Sequence, residues 1–181
     1  GYQALDAATT SDFNTAVGHT ALSGVNGDGS AGNTAVGYEV GLGVTSGTFN
    51  TFMGYRTGRT TSTGGWNTVM GGDAAYSHTT ASGSVILGYN AGSNIATGNR
   101  NVAIGYNTMN NAVTGDNNIA LGTAAGDALT SGYDNVIMGR NAASVLTTGH
   151  QNTLIGLNAG IAVNSGNFNT FIGRDSAYYA T

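Results

Sequence analysis

Cysteine, proline and lysine are absent from this 181-residue chain, and charged residues make up only 8% of it, against about a quarter in ordinary soluble domains. Without cysteine there are neither disulfides nor thiolate metal sites, and the redox compartment is left open. Without proline, turns fall to Gly, Ser, Thr and Asn. The net charge is −4 and the five arginines (Arg56, Arg59, Arg100, Arg140, Arg174) are scattered, so no basic stripe suited to nucleic acid is present. No apolar run approaches the roughly 18 residues of a membrane span, and no charged-then-apolar leader is apparent. No Asn-x-Ser/Thr sequon occurs either, which fits a bacterial or viral product slightly better than a secreted eukaryotic one. Low charge with abundant Gly and Asn is also the composition of disordered or amyloid-forming segments, but a regular apolar pattern argues against disorder.

That pattern is a short tract repeated ten times. Nine tracts open on asparagine and all ten close on glycine: Asn14–Gly18, Asn33–Gly37, Asn50–Gly54, Asn67–Gly71, Ser84–Gly88, Asn101–Gly105, Asn118–Gly122, Asn135–Gly139, Asn152–Gly156 and Asn169–Gly173. From Gly37 to Gly173 every step is 17 residues, while the step from Gly18 to Gly37 is 19. A fixed period along a whole chain is the signature of stacked coils. The expected fold is therefore all-β: a single parallel β-roll, or β-solenoid, spanning 1–181 in about ten coils, with a two-residue insertion within 24–32. The ends lack polar caps, which suggests a piece of a longer fibre.

We number each repeat from its asparagine as position 1. Position 2 is Thr, Val or Ile, position 3 runs from Ala16 to Phe171, and position 4 runs from Val17 to Ile172. These residues predict a strand of about four residues, with positions 2 and 4 on one face and position 3 on the other. Both faces are apolar, and such a strand is buried on both sides. One face fills the coil, with position 12 opposite it (Val44, Ile95, Leu129, Leu146, Val163). The other face, lined by position 3 or position 4, is expected to pack on further copies of the chain.

Gly at position 5 (Gly37, Gly54, Gly71, Gly88, Gly105, Gly122, Gly139, Gly156, Gly173) marks a corner. Ser or Thr at position 14, usually followed by Gly at 15, marks a second one. Each repeat is thus expected to close with two short strands and two turns. Stacking then places Asn33, Asn50, Asn67, Asn101, Asn118, Asn135, Asn152 and Asn169 in a hydrogen-bonded ladder.

The Asn101-Val-Ala-Ile-Gly105 type of tract resembles the head repeats of YadA-like trimeric autotransporter adhesins. The fuller phrases Gly1-Tyr2-Gln3-Ala4-Leu5 and Asn33-Thr-Ala-Val-Gly37-Tyr38 resemble arrays in bacteriophage tail-fibre and related virion proteins. The resemblance covers the whole chain and implies a left-handed roll packed as a homotrimer. The 17-residue repeat is longer than the usual YadA-type one, which calls for a larger corner, and no heptad stalk or membrane anchor is present in the sequence.

Candidate sites are few. Tyr38, Tyr55, Tyr89 and Tyr106, with Tyr2, share position 6 and predict an aromatic strip interrupted by His19 and Gly72, which reads first as packing between coils or chains and otherwise as a surface for weak contacts with a glycan or protein. Phe13, Phe49, Trp66 and Phe168 form a second set just before the next repeat. His19, His78 and His150 fall at positions 6, 12 and 16, too dispersed for one metal site, and read as surface or corner residues. The segment Gly27-Asp28-Gly29-Ser30-Ala31-Gly32 spells G-x-G-x-x-G but lacks the following helix of a dinucleotide site, so it reads as a bulged loop. No catalytic, cofactor-binding or metal residue is assigned. The expected role is a non-enzymatic fibre or shaft segment, extracellular, on a virion or bacterial surface, with itself as principal partner. The alternatives are a bacterial adhesin segment and, more remotely, a polysaccharide-degrading enzyme.

Overall fold

The structure is a computed structural model that describes residues 1–26 and 29–178. It is an all-β solenoid with one strand per coil. The strands are β1 (Thr15–Val17), β2 (Thr34–Val36), β3 (Thr51–Met53), β4 (Thr68–Met70), β5 (Val85–Leu87), β6 (Val102–Ile104), β7 (Ile119–Leu121), β8 (Val136–Met138), β9 (Thr153–Ile155) and β10 (Thr170–Ile172). They lie in chain order in a single ten-stranded parallel sheet. Pairing joins like positions throughout, as in Thr51↔Thr68, Phe52↔Val69 and Met53↔Met70. Gly27 and Asp28, the core of the G-x-G-x-x-G reading, lie outside the described residues. Asn14 donates to the Ser30 carbonyl at 3.0 Å, so the longer step is absorbed before that residue and the ladder resumes in register at Asn33.

The expected second strand is replaced by a ladder of turns. Residues at positions 7, 9 and 17 repeatedly adopt left-handed backbone angles, for example Asp73 (φ 54), Ala75 (φ 50) and Trp66 (φ 56). A left-handed conformation costs an ordinary residue roughly 1–2 kcal/mol. Here it turns successive amides along the coil axis. Asp73 N–H donates to Tyr55 of the previous coil at 2.9 Å, and Ala75 N–H donates to Ala91 of the next coil at 3.0 Å. The corners therefore pair with their neighbours as the strands do, and buried backbone groups are satisfied around the coil.

The position-1 asparagines cross-brace this stack. Each Oδ1 accepts from the backbone N–H and side-chain amide of the next asparagine, as Asn50 does from Asn67 at 3.0 Å in both cases. From Asn33 to Asn152, each Nδ2 also reaches the position-15 carbonyl of its own coil, as Asn118 does to Gly132 at 2.9 Å. That bond closes the coil from inside, and Asn33 through Asn152 are buried. Ser84 breaks the series. Its hydroxyl accepts only a 3.3 Å bond from Asn101 N–H, and Asn101 keeps its brace to Gly115.

Position 5 requires glycine for two reasons. Gly105 has φ +141, and a Cβ there would stand 2.5 Å from the Gly122 carbonyl oxygen. The row of glycines thus marks one line of close approach between consecutive coils, and the position-15 glycines mark another.

Inside the coil, position 3 faces position 12. Ala35, Phe52, Val69, Ile86, Ala103, Ala120, Ile137 and Leu154 are wholly buried, as are Val44, Ile95, Leu129 and Leu146. At position 9, Gly58 lies beneath Phe52, where an added Cβ would meet the ring at 2.6 Å, while the large Met109 is buried in the coil whose position 3 is the small Ala103. Of the two faces left open by the sequence, position 3 is the inner one. Positions 2 and 4 form the outer face.

Candidate interaction surface

The outer face of the sheet carries Val17, Val36, Met53, Met70, Leu87, Ile104, Leu121, Met138, Ile155 and Ile172 at position 4, beside Thr, Val or Ile at position 2. No charged residue occurs in either row. All of these side chains remain exposed or half-exposed. Among the described residues, all of the exposed large apolar side chains but Val145 and Tyr178 stand at positions 16, 17, 2, 4 or 6. Rows 2 and 4 are uncharged along the roll, with Arg100, Asp134, Arg140 and Arg174 interspersed at the flanking positions 17 and 6.

Aromatic columns flank this face. At position 6, Tyr2, His19, Tyr38 and Tyr55 stack with centroid spacings of 5.1, 5.1 and 5.3 Å. His19 thus continues the strip it was expected to interrupt, because its flat ring fits the coil spacing. Gly72 does interrupt it, and the column resumes with Tyr89 and Tyr106 at 5.6 Å. Tyr38, Tyr55, Tyr89 and Tyr106 are all about half exposed. In the second set Phe49 stacks on Trp66 at 6.1 Å, and Phe168 meets His150 edge-on. Tyr133 and His150, both at position 16, stack at 4.6 Å.

His78 corrects an expectation. It is fully buried at position 12, among apolar core residues, and neither ring nitrogen has a hydrogen-bond partner. Desolvation lowers its pKa from 6.5 to about 4, so the ring is neutral near pH 7. Position 12 is the inner row, so the repeat register itself places His78 inside. Its neighbour in the row, Thr61, is also buried with an unpartnered hydroxyl.

A charged network links coils that sequence alone left as scattered arginines. Arg59 Nε donates to Glu39 Oε2 at 2.8 Å, and Arg56 Nε donates to Asp73 Oδ1 at 2.8 Å. Arg59 also donates through Nη1 to the Tyr76 hydroxyl at 3.2 Å. The Arg59 bond holds the Glu39 carboxyl below its ordinary value, and Asp73 raises Arg56. Hydrogen bonding to Glu39 raises Tyr38. These residues share positions 7 and 10 of consecutive coils, so the repeat register contained the signal. Elsewhere, Asn158 with Arg174 holds Asp175 low, and burial raises Asp127.

Hollows accompany these features among the described residues. One of about 410 Å³ is lined by Val163, Gly166, Asn169 and Phe171 among others. A second, about 460 Å³, runs past Asp116 and Tyr133. A third, about 230 Å³, adjoins the charged network at Asp73 and Tyr76. Among the described residues, no group of three His, Asp or Glu side chains is placed to hold a metal ion. Among those residues, too, no helix is long and apolar enough to cross a membrane. No family model, no curated protein and no solved structure matches the chain.

Proposed function

We propose that this chain is a non-enzymatic structural segment of a homotrimeric extracellular fibre, of the kind found in phage tail fibres, which projects or contributes to attachment at a host surface. The observation supporting this reading is the uncharged outer sheet face with its exposed position-4 row. Ten coils at about 4.8 Å, with about 20 Å from position 17 to position 6, give a band of roughly 900 Å² that carries this face at its centre and Arg100, Asp134, Arg140 and Arg174 at its edges. That is close to the roughly 800 Å² per partner of a stable interface. Further copies of the chain would cover it, and the coil ladder would supply stiffness along the fibre axis. The half-exposed position-6 rings favour a second reading, a bacterial surface adhesin segment that itself makes repeated weak contacts with host or neighbouring surfaces.

The test is light scattering of the chain and of an Ile104→Glu/Leu121→Glu variant. The wild type is expected at three times the chain mass of 18.1 kDa. The variant is expected at one, with its circular dichroism retained because both side chains face outward. A wild-type mass of one chain sinks the proposal.

A further inference from the structure

We propose that the notch beside Tyr76 is a binding site for one neutral pyranose ring of a surface glycan. This rests on the attachment reading above and assigns a ligand class to it. The notch is lined by Arg56, Asp73, Tyr76, Asn90, Ser93 and Asn94 and measures about 230 Å³. Clefts for drug-sized ligands are roughly 300–1,000 Å³, so this one suits a single ring.

Its charge is balanced. Arg56 is paired with Asp73 and Arg59 with Glu39, each at 2.8 Å. Neither guanidinium is left uncompensated for a phosphate or a carboxylate ligand, and neither carboxylate for a cation. A neutral polyol meets no such mismatch.

The notch has a preformed aromatic wall. The Arg56 guanidinium lies 4.9 Å from the Tyr55 ring centre and 5.2 Å from that of Tyr76, and the Arg59 guanidinium lies 5.6 Å from Tyr76. Both guanidiniums come from the coil before Tyr76. The residue that follows Tyr76 in the position-10 row is the small, buried Ser93, and the half-buried Tyr76 and Ser93 both line the notch. An apolar sugar face stacks on such a ring, as other flat apolar surfaces do.

The polar groups are of the kinds that pair with hydroxyls, each of which donates and accepts. Arg56 engages Asp73 through Nε and Oδ1, leaving its Nη donors and Asp73 Oδ2 for a ligand. Asn90 Nδ2 donates to Asn107 Oδ1 at 2.9 Å and Asn94 Nδ2 to the Asn110 carbonyl at 2.8 Å, which fixes both amides and leaves their oxygens as acceptors. Ser93 is tied to Asn110. This combination occurs once in the array, in coils whose backbones otherwise repeat their neighbours, so it is not required by the repeat.

The test is saturation-transfer NMR on the full chain with methyl α-glucopyranoside, methyl α-mannopyranoside and methyl α-galactopyranoside, and with glucuronate as the acidic probe. At least one neutral glycoside is expected to bind. Tyr76→Ala is expected to weaken it about tenfold, since one aromatic contact is worth up to roughly 1.5 kcal/mol. Asn94→Ala, at an exposed position that leaves the core untouched, is expected to weaken it as well, while Val145→Ala, exposed three coils further along the same row, leaves it unchanged. Absence of binding by every neutral glycoside, binding of glucuronate alone, or binding unaffected by both notch variants overturns the proposal. The notch lies within one chain, so a monomeric mass would defeat the fibre reading and leave this result readable.

Discussion

The coils headed by Asn50 and Asn67 share their backbone with those headed by Asn118 and Asn135, and differ in what they bury. The later pair places Leu129 and Leu146 at position 12, whereas the earlier pair places Thr61 and His78 there with three polar atoms unpartnered. A buried polar group without a hydrogen bond costs about 1–3 kcal/mol. The earlier coils nonetheless keep the same strand register and the same asparagine braces. The difference teaches that the ladder and the corners hold the geometry of the roll, while the core sets how stable each stretch of it is.

The most disruptive way to break that comparison is to attack what both regions share. Gly105→Ala puts a Cβ against the Gly122 carbonyl at a φ of +141. The loss is expected to exceed about 3 kcal/mol, from backbone strain together with steric overlap. Hydrogen exchange should show the coils on both sides of Gly105 opening. Protection equal to that of the wild type would mean that the corner glycine is dispensable.

Acid should separate the two regions. The folded-state pKa of His78, about 4, lies below its ordinary 6.5. Its neutral form is thus fully compatible with the fold above pH 6.5, and stability is lost as pH falls from there toward 4. With about 1.4 kcal/mol per pKa unit, the loss approaches about 3 kcal/mol. His78 is the only titratable side chain buried in the core among the described residues. Exchange at pH 4 should therefore increase around Thr61–His78 before it increases around Leu129–Leu146, and His78→Leu should abolish the difference. Equal protection of the two stretches at pH 4 would show that His78 is not the weak point.

The smallest expected effect is a gain. Ser84→Asn should restore the missing brace and the paired acceptor for Asn101, raising stability by about 1 kcal/mol, the usual worth of a net hydrogen bond. A lower melting temperature would mean that the Ser84 site has no room for the amide.

Much of this was legible in the residues. The Asn-to-Gly tracts revealed the coils, the parallel sheet and the ladder, because a strict period forces equivalent positions into contact. The supposed second strand was misread because left-handed turns leave a weaker mark than β-branched residues do. That mark was present in Asn90, Asn107, Asn141 and Asn158 at position 7, a residue type that tolerates the left-handed region, with Gly or Ala often following at position 9. The pairing of Arg56 with Asp73 and of Arg59 with Glu39 was also written in the register, but it emerges only when positions are compared across coils. Position 3 or 4 as the outer row was a different case. Both rows are apolar, and only the direction of coil closure distinguishes them.

The asparagine ladder has a consequence for how the chain reaches its fold. Each Oδ1 receives the next coil's amides, so every finished coil presents acceptors in place for the one that follows. Partners are generally 17 residues apart, about a tenth of the 181-residue chain. A parallel sheet ordinarily folds slowly because its pairings are distant, but this one has a relative contact order near that of helical bundles, roughly 0.1. Its assembly is expected to spread coil by coil from wherever the first coils form, a short loop closing each time on a template already made.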